Sequence, residues 1–339
     1  MNMSIIDRIH QRLPNAENTH FSGQSLAKTL YAFPVDILLT GALGAGKTTF
    51  LRGLAEGLGI AGPIVSPTFA LEQRYRTTDH TDFIHIDCYR LSNLQAEQLL
   101  HASDDHTGIR CIEWADRLTH LPDGDRIRIA LREEGTGRAL TVDFEDVSLP
   151  TEEEIVQWRL EVRLPPHIAT HCDTVARVCD ALSNNLLSRG ILVRPLLLRR
   201  AAQLHDLLRF IDFLAHAPTT RTTTTTADEH VWNALKAAYK GRHHEEACAS
   251  FLRERGYAAL ASIIAVHGVN TPTQKRRTIE QQLLYYADKR AALDTVVSLE
   301  GRVRDFIERH GPSATDHGRM MLREAMVIER QLFPDGPPI

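Results

Sequence analysis

The sequence predicts two folding units of different class: an α/β unit built on a mixed sheet, followed by an all-α helical bundle. Three observations predict this. The first half alternates short apolar runs with Gly, Pro and Asp punctuation, the mark of short strands. It carries fewer helical patterns than strand patterns, so hairpin pairing must supplement any parallel core. After Ser148-Leu149-Pro150 the period changes, and Leu and Ala recur at spacings of three and four. At 339 residues the chain is long enough for two cores, since a domain takes ~100–200 residues. The expected division is residues 1–148 as the first unit, 149–164 as a linker and 165–339 as the second unit.

Taken in order, the apolar runs predict strands at Ile37–Thr40, Ala70–Arg76, Phe83–Asp87, Ile109–Ile112, Ile127–Leu131 and Ala139–Phe144. Helical patterns fall at Ser25–Leu30, Thr48–Leu58 and Leu94–Leu100. Glu152-Glu153-Glu154 suits a helix start, where the dipole favours acids, and Pro165-Pro166 interrupts the chain. Helices then follow at His167–Leu187, Leu196–Leu214, Asp228–Tyr239, His244–Arg255, Ala258–His267, Arg277–Asp294, Leu299–Glu308 and Gly318–Leu332, a bundle of roughly seven or eight. The threonine-rich run Thr219–Thr226 reads as an exposed loop, because a lone strand inside a bundle would have no partner. The tail Phe333–Pro338 is non-helical, and no internal repeat is visible.

Bulk properties narrow the function. A formal charge of −4 gives no global electrostatic case for nucleic-acid binding. The five cysteines, Cys88, Cys111, Cys172, Cys179 and Cys248, form no CxxC pair, against a disulfide framework or structural zinc. Met1–Leu13 is interrupted by charges and is not a secretory signal. No apolar run reaches the ~20 residues of a membrane span. A cytoplasmic protein with no membrane association is expected.

Chemistry enters at Gly41-Ala42-Leu43-Gly44-Ala45-Gly46-Lys47-Thr48, a complete P-loop. A strand leads into it and a helix leaves it, so a triphosphate would meet loop amides and a helix N-terminus. Gly41, Gly44, Ala45 and Gly46 form the cradle; Lys47 can reach the β and γ phosphates, and Thr48 can ligate Mg²⁺. Ser66-Pro67-Thr68-Phe69 offers hydroxyls on a stiffened turn. Asp87 and Glu113 each end an apolar strand, where Mg²⁺ and water-positioning groups belong.

These segments together resemble the TsaE (YjeE) family of small P-loop ATPases. The resemblance rests on Gly41 to Thr49, Ser66-Pro67-Thr68-Phe69, His85-Ile86-Asp87-Cys88-Tyr89-Arg90-Leu91 and Ile112-Glu113-Trp114, and spans roughly residues 17–146. It implies ATP and Mg²⁺ as ligands, with Lys47 and the loop amides on the phosphates. Thr48 with either Asp87 or Glu113 would organise Mg²⁺, and the other acid would orient the attacking water. Thr49 and Thr68 would lie near the γ-phosphate, with Trp114 beside it. It further implies ATP hydrolysis on a TsaB–TsaD heterodimer, supporting threonylcarbamoyladenosine formation at position 37 of tRNA, with indirect tRNA contact. Cys88 stands where the family usually has Leu, so a buried apolar site is expected there.

In the second half, His205-Asp206 lies in an apolar helical pattern, with His171 upstream and His244, His267 and Asp288 downstream. Imidazoles and carboxylates from separate helices of a bundle form a ligand set for one or two divalent metals. The order resembles the HD superfamily of metal-dependent phosphohydrolases over roughly residues 165–330. That resemblance implies His171, His205, Asp206 and Asp288 as a mononuclear set and His244 and His267 as the extra pair of dinuclear members. It also implies an HD-type helical bundle, a metal such as Mn, Fe, Co or Ni, Asp206 as bridging ligand and a nucleotide or phosphoester substrate. His243 is the rival to His244, which keeps register with Ala247, Phe251 and Leu252. Arg209 is a candidate phosphate contact. The alternatives are a P-loop nucleotide kinase fused to a nucleotidase, or a non-catalytic docking module.

Overall fold

The computed structural model describes residues 5–213, 224–268, 275–311 and 314–339. The chain divides into two compact units, Met1–Val147 with Leu186–Arg194, and Ser148–Asn185 with Pro195–Ile339. Segment Leu186–Arg194 thus groups with the first unit, although it lies inside the range expected for the second. The 149–164 stretch, expected as a linker with a helix opening at Glu152, holds helix Glu152–Glu161 and groups with the second unit.

In the first unit, strands β1 (Asp7–Leu13), β2 (Val35–Thr40), β3 (Glu72–Arg76), β4 (Asp82–Asp87), β5 (Ile109–Glu113), β6 (Arg126–Glu134) and β7 (Gly137–Phe144) form one sheet in the order β1-β7-β6-β2-β5-β4-β3. The centre, β6-β2-β5-β4, is parallel. The edges close antiparallel through β3 on β4, β7 on β6 and β1 on β7. The sheet is therefore mixed, as its excess of strands over helices predicts. The β1 strand carries no expectation from the sequence, because its buried face alternates polar with apolar residues: Asp7, Ile9, Gln11, Leu13.

Helices α1 (Ala16–Leu26), α2 (Lys47–Gly57) and α3 (Asn93–His101) complete the unit. The expected Ser25–Leu30 helix is corrected to α1, whose start is fixed by the Asn15 side chain accepting from Asn18 N at 2.9 Å. Helices α1 and α2 approach backbone to backbone. A Cβ at Gly53 would lie 1.8 Å from the His20 carbonyl oxygen, so only glycine permits the contact. Leu192 joins the core around Phe50, Ile37 and Val142, and the Leu192 amide donates to Ser25 Oγ. Arg194 and Asp146, both fully buried, pair at 2.7 and 2.8 Å.

In the second unit, α4 (Glu152–Glu161) opens on a Thr151–Glu154 capping box. It is followed by α5 (Pro166–Ser188), α6 (Pro195–Leu204), α7 (Thr226–Ala238), α8 (His244–Glu254), α9 (Ala258–Ile264), α10 (Ile279–Arg290), α11 (Leu299–His310) and α12 (Thr315–Leu332). Two expectations are corrected. The Leu196–Leu214 helix ends at Leu204, and His205-Asp206 lies in a turn before a short 3-10 segment, Arg209–Asp212. The Arg277–Asp294 helix ends at Arg290, where Ala291–Ala292 (β8) and Thr295–Val296 (β9) form a small hairpin. The threonine run lies outside the described residues except for its last three positions, of which Thr225 caps α7. No helix among the described residues is long and apolar enough to cross a membrane.

Candidate functional site

The P-loop links the end of β2 to α2, whose N-cap Gly46 adopts φ +105°. Gly41, at φ +142°, faces the Leu131 carbonyl so closely that a Cβ would sit 2.3 Å from it. The loop is held from behind by Arg138, which donates to the Ala45 carbonyl at 3.0 Å and to the Gly44 carbonyl at 3.3 Å. Lys47 Nζ donates to the Gly41 and Ala42 carbonyls at 2.7 and 3.0 Å and lies 3.8 Å from the centre of the Trp114 ring. Burial lowers the Lys47 pKa, and Glu113, Asp116 and Asp87 oppose that shift. Trp114 takes φ +61° and packs on Tyr89.

Strand register brings the two acids together. Asp87 and Glu113 are direct neighbours across β4 and β5, and Glu113 also faces Leu39 of β2, just before the P-loop. Both are buried, at 3% exposure. They divide their partners cleanly. Thr48 Oγ1 donates to Glu113, 2.8 and 3.0 Å from its two oxygens. Asp87 Oδ2 accepts from Thr68 Oγ1 at 2.6 Å and from Ser66 Oγ at 3.2 Å, while its Oδ1 accepts from the Tyr89 amide. The choice between the acids left open by the sequence thus acquires a geometry: Glu113 goes with the P-loop hydroxyl and Asp87 with the Ser66–Thr68 turn. Thr49 follows on the first turn of α2, half-buried. Sequence reasoning gave no role to His85, which is fully buried with Nε2 2.9 Å from Glu113 Oε1. Its place on the strand two residues before Asp87 was the available signal. Cys88 is fully buried, and burial pushes its thiol up to about 12.

In the second unit the structure brings all six candidate ligands together. His171 comes from α5, His205 and Asp206 from the turn after α6, His244 from the start of α8, His267 from the turn after α9 and Asp288 from α10. His171 Nε2 is 2.9 Å from Asp288 Oδ1, and His205 Nε2 is 3.8 Å from both Asp288 Oδ1 and Asp206 Oδ2. On the other side, Asp206 Oδ1 lies 3.1 Å from His244 Nε2 and 3.7 Å from His267 Nε2, and those two nitrogens are 3.3 Å apart. Asp206 Oδ2 therefore faces His205, and its Oδ1 faces His244 and His267. The His243 side chain is 81% exposed, against 5% for His244.

The donor set fits a divalent cation. His205 Nδ1 bonds the Ala202 carbonyl at 2.8 Å, which leaves Nε2 a lone pair; that atom is buried and has no hydrogen-bond partner. Burial resists ionisation of Asp206, yet His205, hydrogen bonds from His244 and His267, and Arg209 hold its pKa well below the usual carboxylate range. Burial likewise opposes Asp288, and Lys289 and His171 outweigh it. Burial would lower the His244 pKa, but hydrogen bonds to Asp206 and Asp212 raise it to about 9. The buried acids and the imidazole, guanidinium and ammonium groups around them thus hold one another in their charged forms. Two further acids that the sequence reading missed join the cluster: Asp212 Oδ2 lies 2.5 Å and Glu245 Oε2 3.3 Å from His244 Nδ1. Arg209 Nη1 lies 2.8 and 2.9 Å from the two nitrogens of the same ring.

Comparison with known proteins bears on the first unit. Residues 13–140 match the family model described as threonylcarbamoyl adenosine biosynthesis protein TsaE. The chain is 44% identical over 115 residues to the tRNA threonylcarbamoyladenosine biosynthesis protein TsaE of Synechocystis sp., covering 32% of this chain and 72% of that protein. It is 35% identical over 127 residues to the protein of the same name from Bacillus subtilis, covering 37% of this chain and 77% of that protein. Among solved structures, Bacillus subtilis YdiB aligns at 29% identity with a TM-score of 0.32, over 42% of this chain and 89% of that one.

Proposed function

The chain belongs, through its first unit, to the family of the threonylcarbamoyl adenosine biosynthesis protein TsaE, and on that premise we propose a bifunctional enzyme: an Mg-dependent ATPase serving threonylcarbamoyladenosine formation on tRNA with a TsaB–TsaD pair, joined to a metal-dependent phosphohydrolase of HD type. The first half is carried by one observation, the Thr48–Glu113 hydrogen bond beside Asp87 at the mouth of the P-loop. Lys47 and the loop amides bind the phosphates, and Thr48 with Glu113 holds the Mg²⁺ side of the site. Asp87, joined to Thr68 and Ser66, orients the attacking water. Trp114 packs beside Lys47 and limits water around it. The nucleotide's Mg²⁺ supplies charge neutralisation across the phosphoryl oxygens.

The second half is supported by Asp206, whose Oδ2 faces His205 and whose Oδ1 faces His244 and His267. His171, His205 and Asp288 would hold one cation, His244 and His267 a second, with Asp206 shared. Bound there, divalent cations would supply Lewis acidity toward a phosphoryl oxygen and a water of lowered pKa. The chain's own groups exclude bulk water and fix the lone pairs; Arg209, at the same ring, would meet an anionic substrate. The reading favours a phosphoester or nucleotide.

Two measurements test the halves separately. ATP turnover of the full chain should rise when the TsaB–TsaD pair is added; ATP binding without stimulated turnover would leave a docking module instead. Phosphate release from a nucleotide panel with Mn²⁺, Fe²⁺ or Co²⁺ should be abolished in Asp206→Ala. No turnover of any panel member, or equal turnover in the variant, removes the hydrolytic half.

A further inference from the structure

We propose that Asp212 is a positioning residue for the cage. It holds the Nδ1–H of His244 so that Nε2 of that ring, with His267 and Asp206, forms a second cation position beside the one formed by His171, His205 and Asp288. The proposal rests on the reading of this cluster as a metal centre.

Where each histidine sits on its helix decides which partner its ring can find. His205 and His267 both follow a helix C-terminus, α6 and α9, where backbone carbonyls are left without intrahelical partners. Each ring uses one: His205 Nδ1 bonds the Ala202 carbonyl at 2.8 Å and His267 Nδ1 the Ile264 carbonyl at 2.6 Å, in both cases three residues back. The bond fixes the tautomer and aims Nε2 inward. His244 is different. It is the first residue of α8, and at a helix N-terminus the free backbone groups are N–H donors, not carbonyls. Its Nδ1–H therefore needs an acceptor from elsewhere in the fold. Asp212, at the end of the short segment after α6, reaches it at 2.5 Å, and Glu245 stands 3.3 Å away as a second carboxylate. With Nδ1 so occupied, Nε2 faces Asp206 Oδ1 at 3.1 Å and His267 Nε2 at 3.3 Å, with the cationic Arg209 Nη1 2.9 Å away. A carboxylate acceptor makes a charge-assisted bond and raises the basicity of the ligating nitrogen, more than a carbonyl does. Asp212 thus does for His244 what the helix ends do for the other two rings.

The test is equilibrium dialysis of the full chain against Mn²⁺ without nucleotide, with a His205→Ala/Asp206→Ala double variant giving the background outside the cage. Wild type should hold two equivalents. Asp212→Ala should keep one at wild-type affinity and weaken the other about 10–100-fold. Asp212→Asn, whose amide oxygen still accepts from Nδ1–H, should fall between the two. Two equivalents at unchanged affinity in Asp212→Ala would overturn the proposal while sparing the cage itself. Equal weakening at both positions would also overturn it, because a positioning role is confined to the His244 side. Wild type retaining no Mn²⁺ above background would overturn the cage reading and this proposal with it.

Discussion

The two units assemble charge in opposite ways. The first gathers a triphosphate cradle from consecutive residues, 41 to 48, and lets the backbone do most of the holding; its side chains arrive from three adjacent strand ends of one sheet. The second gathers six side chains spread from His171 to Asp288, one or two per helix or helix end, around a single carboxylate. A backbone cradle is specified locally and tolerates change in its neighbours. A side-chain cage is specified by the packing of the whole bundle, and its members share partners, as Asp206 does with His205, His244 and His267. The cage should therefore fail abruptly when its shared residue is lost, and the cradle by degrees.

The largest expected effect follows from Asp206, the one group common to both sides of the cage. Asp206→Ala should reduce cage-bound Mn²⁺ from two equivalents to none, read by metal analysis after dialysis, while ATP turnover by the first unit persists. Retention of one equivalent would mean that the two positions are independent and that Asp206 bridges nothing. Next comes Lys47→Ala. Removing this cation from the phosphate site should lower ATP turnover about 10²–10³-fold, with the metal content of the second unit unchanged. A loss of less than about tenfold would show that the loop amides suffice without it, which would sharpen the contrast between backbone cradle and side-chain cage.

The difference in construction also decides what was legible. The P-loop and the Asp87 and Glu113 strand ends follow from local pattern, because strand, glycine turn and helix are contiguous; the order of strands in the sheet does not. The pairing of Thr48 with Glu113 rather than Asp87 was not legible, since it depends on which strand lies next to β2. The β1 strand escaped because Asp7 and Gln11 occupy its buried face. In the bundle, the histidine order marked the six cage members, and the buried register of α8 favoured His244 over His243. Asp212 was invisible: it matters only because His244 begins a helix and lacks a carbonyl, and the sequence suggested an unbroken helix through that region. The break after Leu204 is what turns both His205 and Asp212 toward the cage.

The smallest effect concerns how each unit balances its buried carboxylates. In the cage Asp206 faces imidazoles, and Asp288 faces both His171 and the Lys289 ammonium. In the first unit Asp36 faces a fixed cation: Arg110 donates to it at 2.7 and 3.0 Å, and His106 stands 3.4 Å away. Burial alone would raise the Asp36 pKa, but the bonds from His106 and Arg110 and the Arg110 charge bring it below its usual value of 3.8. A carboxyl whose pKa is lower folded than unfolded contributes stability that is complete above the unfolded value and is lost as pH falls through the folded one. The pair should thus be indifferent to pH across the neutral range, and its loss should begin only below about pH 4. Asp36→Asn leaves Arg110 buried beside a neutral amide and should destabilise the first unit by about 3 kcal/mol at neutral pH. Its acid unfolding limb should also be shallower than that of wild type. Urea unfolding followed across the acid range, with ATP-site Trp114 fluorescence reporting the first unit, reads both. An unchanged acid limb in Asp36→Asn would mean that other carboxylates carry the pH dependence of the first unit.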